Sequence, residues 1–109
     1  MSESKLVTAI LSLSALMPDV ELWRNNSGMR GHTRFGLHSR KRLTGSPDIV
    51  GIVAGRFIGL ECKTADGTVS DEQRDFMADI RAAGGYAAVV RSMSDALEAI
   101  EQAREVNRG

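Results

Sequence analysis

Apolar positions recur along this chain at two spacings, and the switches between them mark out its elements. In ESKLVTAILSLSALM, residues Leu6, Ile10, Leu13 and Met17 fall at helical spacing, and Pro18 closes the segment. Val7, Leu11 and Leu16 widen its apolar surface past one stripe. That width predicts a helix packed on the sheet and also on a second copy of the protein. VELWRN then has the length and the β-branched and aromatic content of a strand. The stretch NSGMRGHTRFGLHSRKRLTGS is Gly-rich, basic and aperiodic, and reads as a long loop. PDIVGIV and RFIGLECKT follow as two strands joined by a tight turn at Ala54-Gly55.

Periodicity returns to helical in SDEQRDFMADIRAAGG. Ser70 is the expected N-cap, Asp71 and Glu72 occupy the first turn, Phe76, Met77 and Ile80 point inward, and Gly84-Gly85 stops the helix. A short strand, YAAVVRS, precedes a last helix over 94–106 with Ala96, Leu97, Ile100 and Ala103 inward. The order α-β-β-β-α-β-α predicts an α/β chain. The helix between the third and fourth strands is a crossover that lets those two strands run parallel within one mixed sheet.

Length changes this picture little: 109 residues with 42% hydrophobic content make one domain over 1–109 with one modest core. No apolar run approaches a membrane span, and MSESKLVTAIL is acidic and polar where a signal peptide would be basic and then apolar. A soluble, cytoplasmic protein is expected. The single cysteine, Cys62, excludes an internal disulfide and a multi-cysteine zinc site, and fits a reducing compartment.

Charge changes it more. The net charge is zero, yet no acidic residue falls between Leu22 and Pro47, a window that holds Arg24, Arg30, Arg34, Arg40, Lys41 and Arg42 with His32 and His38 among them. Such a block suits phosphate contacts. A solvated loop is the alternative for any charge run, and the chemistry next to this one favours phosphate. The two histidines read as further phosphate contacts or bystanders, with no catalytic role. Trp23, beside the window, is expected in the core before it is expected as a base-stacking platform.

That chemistry lies in PDIVGIVAGRFIGLECK. With Val53-Ala54-Gly55-Arg56 as a four-residue turn, Val53 faces Arg56, Ile52 faces Phe57, Val50 faces Gly59, and Asp48 faces Glu61. Opposed residues share a face with Cβ atoms about 4.5–5.5 Å apart, and Lys63 joins them by the period of two. The neighbours on both faces are mostly apolar, which predicts a strand pair buried on both sides. Two carboxylates side by side near a core repel each other and lose hydration unless a proton or a cation sits between them. Hard oxygen donors, with the backbone carbonyl of Cys62 as a third, suit Mg²⁺ or Mn²⁺. Lys63 is then placed to orient or deprotonate an attacking water and to offset charge on phosphorus. Ala-Gly is not a favoured primed turn, and a one-residue slip would separate the two acids. The alternative is that Asp48 caps a turn and that Glu61 and Lys63 neutralise each other at a solvated strand end.

Gln73 completes a capping box with Ser70 and also begins the inward face of its helix. Glu3 similarly heads the inward face of the first helix, in line with Leu6, Ile10 and Met17, or else serves that helix's N-terminus.

With GSPD at 45–48 and ECK at 61–63, the sequence resembles the PD-(D/E)xK nucleases. Within them it is similar to the virus-type replication-repair nuclease (VRR-NUC) domain, through WRNN at 23–26, SDEQRDF at 70–76 and AGGYAAVVRS at 83–92. The resemblance implies a restriction-endonuclease-like α-β-β-β-α-β core with a C-terminal helix around a central mixed sheet, and metal-dependent hydrolysis of DNA phosphodiesters. Carried over by position, Asp48 and Glu61 are metal ligands, Lys63 the catalytic lysine, Gln73 the glutamine of the following helix and Glu3 the helix-borne acid. Small members of the family, found in phages and bacteria, are similar to Holliday-junction resolvases and act as homodimers, so branched DNA and a second copy are the expected partners. Flap or nicking activity by a monomer and a DNA-binding module without turnover are the alternatives.

Overall fold

A computed structural model describes residues 1–26 and 44–106. Its four strands, β1 (Val20–Arg24), β2 (Ile49–Val53), β3 (Arg56–Cys62) and β4 (Tyr86–Val90), lie side by side in that order in one sheet. The first two pairings are antiparallel and the third is parallel. Helix α2 (Asp71–Ala82) is the crossover the parallel pair requires. Helices α1 (Glu3–Leu11) and α3 (Met93–Val106) complete the predicted order. Among the described residues no helix is long and apolar enough to cross a membrane. The long loop expected between β1 and β2 lies, apart from its ends, outside the described residues.

The core is built on one face of the sheet. Leu6, Val7 and Ile10 of α1 meet Val20 and Leu22 of β1, Ile49 and Val53 of β2, Ile58, Leu60 and Cys62 of β3, Val90 of β4 and Ala96, Ala99, Ile100 and Ala103 of α3. The three alanines let α3 lie close to the strands, and each fully buried Ile, Leu or Val contributes about 1.5–3 kcal/mol. This one cluster also absorbs most of the apolar surface of the first segment. Leu13 is buried, Leu11 and Met17 pack against the cluster, and Leu16 alone of that segment's apolar set is strongly exposed, at 75%. The width that suggested a second copy is therefore largely used within a single chain.

Two details of the helices also differ from expectation. The first helix ends at Leu11 and tightens into a 3₁₀ turn, Ser12–Ala15, well before Pro18. The tighter turn brings the Ser14 hydroxyl to the open edge of β1, where it accepts the Leu22 N–H at 2.8 Å. Leu97 points outward, and Ala99 takes the inward place.

The hairpin is not buried on both sides. Trp23, Ile52 and Phe57 are 47%, 45% and 42% exposed on the face opposite the core, so Trp23 is not a core residue. The reason is coverage: α2 packs over β4 and the later part of β3, with Ile80 against Gly59, and among the described residues the same face of β1, β2 and the start of β3 is left open. The register nonetheless agrees with the pairing read from sequence, with Ile49 opposite Leu60, Val50 opposite Gly59 and Val53 opposite Arg56. Ala54 and Gly55 both take left-handed conformations, φ 50° and 84°, which makes the turn a primed one that follows the twist of the strands.

Candidate active site

Asp48 lies immediately before β2 and Glu61 near the end of β3, on the sheet face that α2 covers. The register that opposes Ile49 to Leu60 brings the two acids together one step further along. Glu61 is 3% exposed. Burial, then the Asp48 charge, push its carboxyl up to about 7 against a partial offset from Lys63. The Asp48 carboxyl is close enough to share a proton with it, and the Glu3 charge adds a smaller push.

The oxygens of each acid have unequal surroundings. Asp48 Oδ2 accepts the Cys62 N–H at 2.9 Å. Glu61 Oε2 accepts from Gln73 Nε2 at 2.9 Å and lies 3.7 Å from Lys63 Nζ. Glu61 Oε1 is buried and has no hydrogen-bond partner. A buried carboxylate oxygen left bare is costly, and a cation is one of the few groups that can stand there. The N–H and C=O of one strand residue project to the same side, so the Cys62 carbonyl is turned toward the side from which Asp48 reaches its N–H. Among the described residues no three His, Cys, Asp or Glu side chains converge. The protein donors are two carboxylates and a backbone carbonyl, all hard oxygens, which fit Mg²⁺ or Mn²⁺ better than a soft metal. The Cys62 thiol is no part of it: it points into the core, where burial and then Asp48 push it up to about 12.

Gln73 is held from two directions. Its Oε1 accepts the Ser70 N–H at 2.9 Å while Ser70 Oγ accepts the Gln73 N–H at 3.1 Å, completing the capping box. Because the Ser70 N–H can only donate, the amide must turn its NH₂ toward Glu61. The helix cap thus also sets the orientation of a side chain in the site. Gly45, at φ +86°, packs on this same turn; a Cβ there would come within 2.5 Å of the Glu72 carbonyl oxygen. Beyond Lys63, the chain is shaped by Arg91, whose Nη1 donates to the carbonyls of Thr64 and Gly67 at 2.7 and 2.8 Å.

Of the residues singled out in sequence, the structure brings Asp48, Glu61, Lys63 and Gln73 together, with Glu3 within electrostatic reach from α1 on the opposite face. Arg24 is exposed at the end of β1. Arg30, Arg34, Arg40, Lys41, Arg42, His32 and His38 lie outside the described residues. Sequence reasoning gave no role to Asn25, whose side chain and backbone bond the segment leading into Asp48. An Asn closing the predicted strand VELWRN was the available signal, since its short amide suits bonding to nearby backbone.

No protein-family profile matches the sequence, and no curated protein matches it. Among solved structures, a chain described as a VRR_NUC domain protein superposes with a TM-score of 0.70 at 13% identity, over 97% of this chain and 90% of that one. At that identity the likeness speaks for architecture: this chain has the fold of a VRR-NUC domain.

Proposed function

We propose that this protein is a Mg²⁺- or Mn²⁺-dependent endonuclease that hydrolyses phosphodiester bonds in DNA, and that branched DNA such as a Holliday junction is its substrate. The observation that carries the reading is Glu61, buried beside Asp48 with Oε1 bare. A VRR-NUC fold under that pair supports nuclease chemistry over other uses of two acids.

Asp48 and Glu61 are the residues to hold the ion, through the oxygens that Cys62 and Gln73 leave free. A bound divalent ion supplies Lewis-acid polarisation of a phosphate oxygen and a more acidic water. Lys63 keeps its ammonium 3.7 Å from Glu61 Oε2 with its side chain 13% exposed. There it offsets negative charge that builds on phosphorus and orients the attacking water. Gln73 keeps Glu61 turned so that its free oxygen stays free. Arg24 and the basic residues that follow it contact phosphates without reading sequence. A homodimer extends the proposal, because a two-fold pair presents two sites to two strands of a junction.

The test is incubation with a four-way junction, a flap and a linear duplex, with and without Mn²⁺. Metal-dependent cutting of the junction is expected, and no cutting of any substrate would sink the reading. Symmetric paired nicks support the dimer, whereas a single nick points to a monomeric flap or nicking enzyme. The Lys63–Glu61 ion pair favours one rival, a DNA-binding module in which Lys63 merely neutralises the acids. Lys63→Ala separates the two: an enzyme loses cleavage and keeps most of its binding, while a binding module has no cleavage to lose.

A further inference from the structure

Each acid of the pair is anchored by a primary amide. Gln73 reaches Glu61 directly, whereas Asn25 reaches Asp48 through the backbone that carries it. The Asn25 main-chain N–H donates to the Asp48 carbonyl oxygen at 2.8 Å. Its Nδ2 donates to the Pro47 carbonyl oxygen at 2.8 Å and to Ser46 Oγ at 3.0 Å. A carbonyl oxygen can only accept, so the NH₂ end of the amide must face Pro47 and the orientation is settled by chemistry. Three consecutive residues, Ser46, Pro47 and Asp48, are thus tied to one. This matters because they precede β2: the regular ladder starts at Ile49, and Pro47 has no N–H to offer it.

We propose that Asn25 is a positioning residue for Asp48. By fixing the Ser46–Asp48 backbone it lets one Asp48 oxygen reach the Cys62 N–H and turns the other toward Glu61. The inference rests on reading the two acids as a metal-binding pair, but its geometry exists without the metal. Residues that hold a metal ligand in place typically change affinity or activity about 10–100-fold when replaced.

The Cys62 amide is a reporter that needs neither metal nor DNA, because its N–H donates to Asp48 Oδ2. The neighbouring Lys63 amide donates instead to the Val90 carbonyl and serves as the internal control. In the full chain, Asn25→Ala should speed hydrogen exchange at Cys62 by about tenfold or more relative to Lys63. It should lower kcat on branched DNA about 10–100-fold, with KM for DNA within about threefold. Asn25→Asp keeps the size of the side chain and places an acceptor against the Pro47 carbonyl; it should act the same way and guards against a poorly folded alanine variant. Unchanged Cys62 exchange and kcat in a folded variant would overturn the proposal. So would Cys62 and Lys63 exchange rising together with loss of thermal stability, the mark of general loosening. A wild-type chain that cuts no DNA, with the Cys62 amide still released by Asn25→Ala, would refute the nuclease reading and leave the clamp standing.

Discussion

Glu61 combines burial, a like-charged neighbour and one bare oxygen, and at neutral pH these three cannot coexist cheaply without a proton or a cation. Glu61→Gln keeps the shape and removes the charge. In metal-free protein at pH 8 we expect it to raise stability by about 1–3 kcal/mol, read by denaturant unfolding, while abolishing cleavage. A variant no more stable than wild type would mean that Glu61 is not held against Asp48 as described. The three charged residues of the hairpin were legible in the sequence because a period of two and a short turn suffice to put them on one face. Asn25 was not, since a side chain that bonds a hydroxyl and a carbonyl 21 and 22 residues away leaves no periodicity to read. Gln73 was legible as a cap and as the start of an inward helix face, and by the resemblance as a site residue; its bond to Glu61 itself depends on how high α2 rides over β3.

At the scale of elements, the hairpin and α2 together hold the site. Ala54 takes φ 50° at a turn position suited to Asn or Gly. Ala54→Asn should therefore stabilise the chain by about 0.5–1 kcal/mol without changing activity, as a higher thermal midpoint with equal kcat. For α2, Ser70→Ala removes the side-chain cap but keeps the main-chain N–H that orients Gln73. It should cost about 1 kcal/mol and spare activity per folded molecule, whereas Gln73→Ala should lose both. Equal activity losses in the two variants would show that the cap, and not the amide, is what the site needs. Element order and register were legible for physical reasons: hydrophobic spacing reports what faces a core, and the crossover length dictates a parallel pair. Coverage was not. Nothing in the alternation of VELWRN, PDIVGIV or RFIGLEC says that α2 stops short of β1, β2 and the start of β3, so Trp23, Ile52 and Phe57 read as buried and are half-exposed. Likewise, Leu97 and Ala99 flank the Ala96, Ile100 and Ala103 stripe on opposite sides, and α3 is turned so that the Ala99 flank is buried and the Leu97 flank faces out.

For the whole molecule, the acids couple stability to pH and to metal. Glu61 holds its proton more tightly in the folded chain than its ordinary value of 4.5 and up to about 7. Between those values folding takes up a proton, so the contribution of Glu61 favours the folded state at low pH and is lost as pH rises toward 7. Asp19 acts in the opposite sense: the Arg104 guanidinium holds its carboxyl below 3.8, and that support is lost only in stronger acid. Metal-free protein should accordingly show a falling thermal midpoint from pH 5 to pH 8. Mn²⁺ should restore it more at pH 8 than at pH 5, where the ion must displace a proton. A midpoint flat across that range, with and without Mn²⁺, would contradict the coupling. Metal-dependent cleavage requires the two opposed carboxylates to form one cation site, and calorimetric titration of Mn²⁺ into wild type and Asp48→Asn measures that directly. The prediction is saturable binding to the wild type that Asp48→Asn abolishes; an Asp48→Asn variant that keeps wild-type affinity would contradict it.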